Sequence, residues 1–172
     1  MGDNELKALA ARVQRMEDIE EIKLIRHRMA RSADDDHNLD TIMPLFADDA
    51  VIRYEDPTIQ DRFGYHEGKA AIRDYLKDVN PKIMDFSMHY WLQPIIKVND
   101  DGMTATGDWY YWGIYDMASP ETGELEGILL GATFLDDYTK ENGMWQFKYT
   151  KVQLQTITRN HPDGSLWNVV GK

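Results

Sequence analysis

The sequence predicts an α+β fold in which a strongly curved antiparallel sheet wraps around N-terminal helices and leaves a cone-shaped cavity. Two observations carry this. Apolar residues recur at three- and four-residue steps near the N-terminus, and after Pro81 they give way to long β segments separated by polar, glycine-bearing turns. Leu6, Leu9, Val13, Met16, Ile19, Ile22, Ile25 and Met29 mark an amphipathic helix over 6–33, with a break expected near Glu17. It stops in the acidic cluster ADDDHN. A shorter helix is expected in LDTIMPLF, with Pro44 near its end, and a short strand carrying Tyr54 in DDAVIRYED. Next, EGKAAIRDYLKD reads as a third helix opened by Gly68, with Ala71, Ile72, Tyr75 and Leu76 inward. The long strands are expected over 83–98, 104–116, 128–138 and 145–157, joined by the turns NDDGM, SPETGELEG and KENGM.

The 172 residues, 42% of them hydrophobic, suit one domain over 1–160. Residues 161–172 read as a tail whose Leu166, Trp167, Val169 and Val170 suit it to cover a pocket or a neighbouring subunit. A net charge of −11 argues against nucleic acid or an anionic membrane as partner, because phosphate binding needs a concentrated basic surface. The N-terminal stretch has no apolar signal core, and no apolar run is long enough to span a bilayer, so a cytoplasmic protein is expected. Cysteine is absent, which excludes disulfides, thiolate metal sites and cysteine nucleophiles. Aromatic residues make up 11% of the chain and crowd its second half, where they can wall a site for a small hydrophobic molecule.

Within MDFSMHYWLQPIIKV, strand alternation puts His89 on one face with Asp85, Ser87, Trp91 and Gln93, the more polar face and so a candidate cavity wall. On the following strand Asp108, Tyr110 and Trp112 alternate with Trp109, Tyr111 and Tyr115, so both faces are aromatic and either can line the site. His27, His37, His66 and His161 read as surface or loop residues. Asp34, Asp35, Asp36 and His37 are metal-ligand types, but four consecutive side chains converge poorly on one ion, and neither HExxH nor EF-hand spacing occurs. No glycine-rich phosphate loop follows a strand. Neither metal nor cofactor is expected.

The order of elements, together with RVQRMEDIEEIKLIRHRMARSADD, LFADDAVIRY, GKAAIRDYL, SMHYWLQPIIKV, TATGDWYYWGIYD and YTKENGMWQFK, resembles the SnoaL-like branch of the nuclear-transport-factor-2-like superfamily, whose fold is the cystatin-like α+β barrel. Within it the similarity runs to bacterial bile-acid 7α-dehydratase, with scytalone dehydratase and hexachlorocyclohexane dehydrochlorinase more distant. All are lyases that use a His–Asp pair and no cofactor. The resemblance implies that His89 in SMH and an aspartate ending the first helix, Asp34 or Asp35, form an acid–base unit with Tyr54 as hydrogen-bond donor. Met29 stands where that family places a tyrosine, and Gly113 near where it places an acid. Met29, Trp91, Tyr110 and Trp112 are the candidate substrate contacts. The implied reaction is elimination of water from a steroid or polycyclic aromatic substrate. Loss of formaldehyde from a lignin-derived diaryl compound, proton shuttling as in ketosteroid isomerase, and non-catalytic ligand binding are the alternatives. The resemblance also implies a homo-oligomer, a trimer ahead of a dimer.

Overall fold

Residues 3–35 contain neither glycine nor proline, and one unbroken helix, α1 (Asp3–Asp35), runs through them. The break expected near Glu17 is therefore absent. The computed structural model describes residues 2–35, 37–55, 63–119 and 122–159, so the tail at 161–172 lies outside the described residues. Leu6, Leu9, Val13 and Met16, expected to face inward, are exposed, because the sheet is met only from Asp18 onward. From there Asp18, Ile22, Ile25, Arg26, Ala30 and Ala33 form the buried stripe.

A single helical turn, α2 (Leu39–Ile42), follows; the Asn38 side chain accepts from the Asp40 amide at its N-terminus. It passes into a tight turn at Met43–Leu45 and then β1 (Phe46–Tyr54). A three-residue strand, β2 (Tyr65–Glu67), pairs antiparallel with β1; between Gly64 and Gly68 it is too short to show a period in the sequence. Helix α3 (Lys69–Ile83) leads into the long strands β3 (Met84–Val98), β4 (Thr104–Ala118), β5 (Leu125–Glu141) and β6 (Met144–Arg159). The β5–β6 hairpin closes on Asn142 and Gly143, both at positive φ, as a two-residue turn matched to strand twist requires.

The six described strands lie in the order β2-β1-β6-β5-β4-β3. The sheet is curved but not closed, and it is mixed rather than wholly antiparallel: β1 runs parallel to β6, pairing Val51 with Tyr149 and Tyr54 with Val152. Helix α1 packs against β3 and β6 on one face. Along β4, burial alternates residue by residue, with Ala105, Gly107, Trp109, Tyr111, Gly113, Tyr115 and Met117 on the covered side. No described helix is long and apolar enough to cross a membrane.

Helix and sheet are joined through a buried ion pair that sequence periodicity did not reveal. Arg26, wholly buried, donates from Nε to Asp136 Oδ2 on β5 at 2.9 Å and from Nη2 to Asp136 Oδ1. Tyr138 donates to the same carboxylate at 2.7 Å and Thr150 at 2.9 Å. The guanidinium lies 5.0, 4.9 and 4.4 Å from the ring centres of Trp91, Phe134 and Phe147. Burial, reinforced by the Asp136 charge, pushes the Tyr138 phenol well up, so it remains a donor. Nearer the N-terminus, Asp18 accepts from Lys140 at 2.7 Å and Trp145 at 3.0 Å. Burial opposes its ionisation, but these bonds and one from Gln14 hold the carboxyl below its ordinary value.

Removing one member of a buried pair strands the other charge, so Arg26→Met is expected to cost about 3–5 kcal/mol in urea denaturation. Combining it with Asp136→Leu is expected to restore much of that loss, because both charges are then gone.

Candidate active site

The last turn of α1 meets the first half of β3. Ser87, His89 and Trp91 alternate on the face toward α1, and Asp34 reaches them from the helix end. Asp34 Oδ1 is 2.5 Å from His89 Nδ1, and Oδ2 accepts the His89 backbone N–H at 3.0 Å. Ser87 Oγ donates to Oδ1 at 3.2 Å and lies 3.4 Å from the Ala33 carbonyl. Both carboxylate oxygens thus fix one histidine, in position through the backbone and in rotation through the ring. Between Asp34 and Asp35 the structure selects Asp34: one residue turns the helix by about 100°, and Asp35 is exposed. Asp36 lies outside the described residues. Burial alone would raise the Asp34 pKa, but hydrogen bonds from the His89 ring, the His89 amide and Ser87 outweigh it and hold the carboxyl below its ordinary value. With the Nδ1 proton given to a carboxylate, Nε2 is the nitrogen left to take a proton from elsewhere.

Aromatic rings enclose the imidazole. Trp91 stacks on it at 5.7 Å and 14°, Tyr115 stands edge-on at 5.4 Å, and Tyr111 is tilted at 5.9 Å. The Tyr111 and Tyr115 hydroxyls are hydrogen-bonded to each other. The Trp91 indole N–H is buried and has no acceptor among the described residues. Tyr110 and Trp112, expected as substrate contacts, lie on the opposite face of the sheet. Register decides this: Trp91 pairs with Tyr111 and Tyr90 with Trp112, so the odd-numbered aromatics of β4 share the side of His89, and Tyr110 is 61% exposed. The sequence held a signal for the correct side. Gly107 and Gly113 share parity with Trp109, Tyr111 and Tyr115, and glycine is placed where large rings lean across a strand. At Gly107 a Cβ would fall 2.9 Å from both Trp109 and Tyr138. Gln93 also departs from its expected face, because a bulge between Leu92 and Ile95 places it at φ 49° on the edge strand, and Asp85 is exposed.

Tyr54 comes to the same side of the sheet from β1. Its hydroxyl accepts from Tyr75 of α3 at 2.9 Å, and its ring packs on Phe63 at 5.2 Å. Burial raises the phenol pKa of Tyr54, Tyr75, Tyr111 and Tyr115 alike, and charge on Tyr54 would raise Tyr111 and Tyr115 further. Tyr54 is bonded to Tyr75, and no hydrogen bond among the described residues joins it to His89. Met29 packs on Arg26, its Sδ 3.8 Å from Nη1, and against the main core. His66, read as a surface or loop residue, instead lies on β2 and stacks on Tyr75 at 4.0 Å, with Nε2 2.5 Å from the Phe63 carbonyl. His161 lies outside the described residues. Among the described residues no three acidic or histidine side chains are grouped to hold a metal ion.

Residues 14–151 match the profile of the SnoaL-like domain family. Among solved structures, the chain is similar to a type 2 hexachlorocyclohexane dehydrochlorinase, LinA, at 15% identity and TM-score 0.74, over 87% of this chain and 93% of that one. It is similar to a candidate scytalone dehydratase from Novosphingobium aromaticivorans DSM 12444 at 16% identity and TM-score 0.71, over 92% and 97%. A protein from N. aromaticivorans with a cystatin-like fold matches at 19% identity and TM-score 0.65, over 95% and 94%. At these identities the likeness is one of fold.

The Asp34 geometry has a signature in stability. A carboxyl whose folded pKa is depressed contributes stability above its unfolded pKa and loses it as pH falls through the folded value. Its contribution is thus complete above about 4 and lost progressively below. The stability difference between wild type and Asp34→Asn, from urea denaturation at stepped pH, is expected to shrink as pH falls through that window.

Proposed function

Because the chain belongs to the SnoaL-like domain family, we propose that it is a cofactor-independent lyase that eliminates water from a bulky, largely apolar hydroxylated substrate, a steroid or polycyclic aromatic. The observation that carries this reading is the double attachment of Asp34 to His89. A site that only binds has no need to spend both oxygens of a carboxylate on setting one imidazole. Likeness of fold to a dehydrochlorinase and a candidate scytalone dehydratase supports elimination as the reaction type.

In this mechanism His89 Nε2 takes the proton from the carbon next to a carbonyl. The C–H electron pair moves toward the carbonyl, whose oxygen gains negative charge, and returns to form C=C as the β C–O bond breaks. The imidazolium, stabilised by Asp34, gives the same proton to the departing hydroxide, which leaves as water. Tyr54, accepting from Tyr75, keeps its own O–H to orient the leaving hydroxyl. A well-placed acid–base group is worth about 10²–10⁴-fold, and the aromatic walls supply orientation and exclude water.

Product mass spectrometry on hydroxylated ketosteroids and diaryl alcohols tests this. Loss of water is expected, falling about 10²–10⁴-fold in His89→Ala and substantially in Asp34→Asn. Release of formaldehyde in place of water would replace elimination by a retro-aldol cleavage driven by the same base. Turnover unaffected by both substitutions would refute the mechanism.

We further propose a cytoplasmic homo-oligomer, a trimer in the first instance. The outer sheet face exposes Phe86, Met88, Tyr90, Leu92, Tyr110 and Trp112 on two adjacent strands, an apolar patch that association would cover. Light scattering is expected to give three times the 20.0 kDa chain mass, falling to one in Tyr90→Lys/Trp112→Lys. A wild-type monomer would refute it.

A further inference from the structure

On the proposed reading, negative charge develops on a substrate oxygen beside His89, and the acid–base pair itself offers nothing to receive it. Asp34 is an acceptor, and His89 is engaged with Asp34 through one nitrogen and with the moving proton through the other. The inner face holds donors that no acceptor among the described residues uses.

Directly opposite His89 in the β3–β4 register stands Gly113. A Cβ at this position would fall 2.5 Å from the Tyr115 hydroxyl and 2.7 Å from that of Tyr111. The missing side chain is thus what lets two phenolic oxygens meet over the backbone facing the histidine. Two hydroxyls bonded to each other use one of their two protons, leaving the other without an acceptor among the described residues. Both rings are buried, where an unspent O–H is costly unless something accepts it. The Trp91 indole N–H, on the ring stacked on His89, is a second buried donor without an acceptor among the described residues.

We infer that Tyr115 is a catalytic residue whose O–H donates to the substrate oxygen that becomes negative, that Tyr111 is a positioning residue that donates to Tyr115 and holds it there, and that the Trp91 N–H contributes a second bond to the ligand. Tyr115 is assigned the outward proton because its ring is the nearer of the two to the imidazole, edge-on at 5.4 Å. Burial raises both phenols, so both stay protonated and able to donate. Such a pair is chemically suited to an enolate or a phenolate oxygen, so the ligands it favours are ketones that enolise and phenols that ionise. This inference rests on the placement of the site at His89 but not on elimination being the reaction.

The test reads binding, without turnover, using 4-nitrophenol, whose anion absorbs in the visible, and 4-nitroanisole, which has the same shape and cannot ionise. Wild-type protein is expected to bind the phenolate in preference to the phenol, seen as growth of the anion band at a pH where the free phenol is mostly neutral. Tyr115→Phe is expected to weaken phenolate binding about 10–100-fold, the scale of one charge-assisted hydrogen bond, while leaving nitroanisole binding within about twofold. Tyr111→Phe is expected to give a smaller loss of the same selective kind. If wild type shows no preference for the anion, or Tyr115→Phe leaves phenolate binding unchanged or weakens both probes equally, the inference is overturned. Should Tyr115→Phe fail to fold, 3-fluorotyrosine at position 115 keeps the shape and is a stronger acid. Tighter phenolate binding then supports the inference, and unchanged binding overturns it. Failure of every elimination assay would leave this result standing, so the two readings fail separately.

Discussion

The structure depends on one buried ion pair, Arg26 of α1 with Asp136 of β5. Taking a guanidinium and a carboxylate out of water costs several kcal/mol for each ion, so the pair persists only because its geometry is nearly complete. Asp136 accepts two bonds from Arg26 and one each from Tyr138 and Thr150, and the guanidinium faces lie against Trp91, Phe134 and Phe147. A helix laid on an apolar sheet face can slide by small steps at little cost, whereas sliding this one would unpair charges in the interior. The pair therefore fixes where along the sheet α1 sits.

That position is what the candidate site requires. Asp18, Arg26 and Asp34 are eight residues apart, so α1 carries an acid, a base and an acid at intervals of about 12 Å along its length. Each meets polar partners on strands: Lys140 and Trp145, then Asp136, then Ser87 and His89. The last of these is the site. Because the helix is rigid, holding Arg26 also holds Asp34, and a shift of even one ångström would spoil a carboxylate that must meet both the ring and the backbone of one residue. Trp91 links the two directly, with the Arg26 guanidinium over its ring and the His89 imidazole stacked on it.

Around this frame the polar groups of the inner face are mostly aromatic hydroxyls and an indole. A phenol contributes a large apolar surface together with one hydrogen-bonding atom, so a wall built from tyrosine can bury a hydrophobic ligand and still place donors on it. Burial keeps these phenols protonated, which makes them donors rather than anions.

Legible in the sequence alone were the class of the long segments and the histidine that the helix-end aspartate meets. Helical spacing, strand alternation and the Asn-Gly turn are local properties, and they located α1, α3 and the four long strands within a few residues. The setting of His89 among alternating side chains, with the SMH resemblance, singled it out, and the helix-end acids were named to within one position. Tertiary structure decided the rest. Both faces of DWYYWGIY are aromatic, so only the pairing of Trp91 with Tyr111 could show that Tyr111 and Tyr115, not Tyr110 and Trp112, join the histidine. The apolar stripe of α1 continues through Leu6 and Val13, and only the extent of the sheet determines which part of it is buried. Arg26 and Asp136, 110 residues apart, look in sequence like ordinary surface charges. Local pattern reports the period of a side chain, but the partner that makes a buried charge tolerable comes from a distant part of the chain, and only the assembled fold brings the two together.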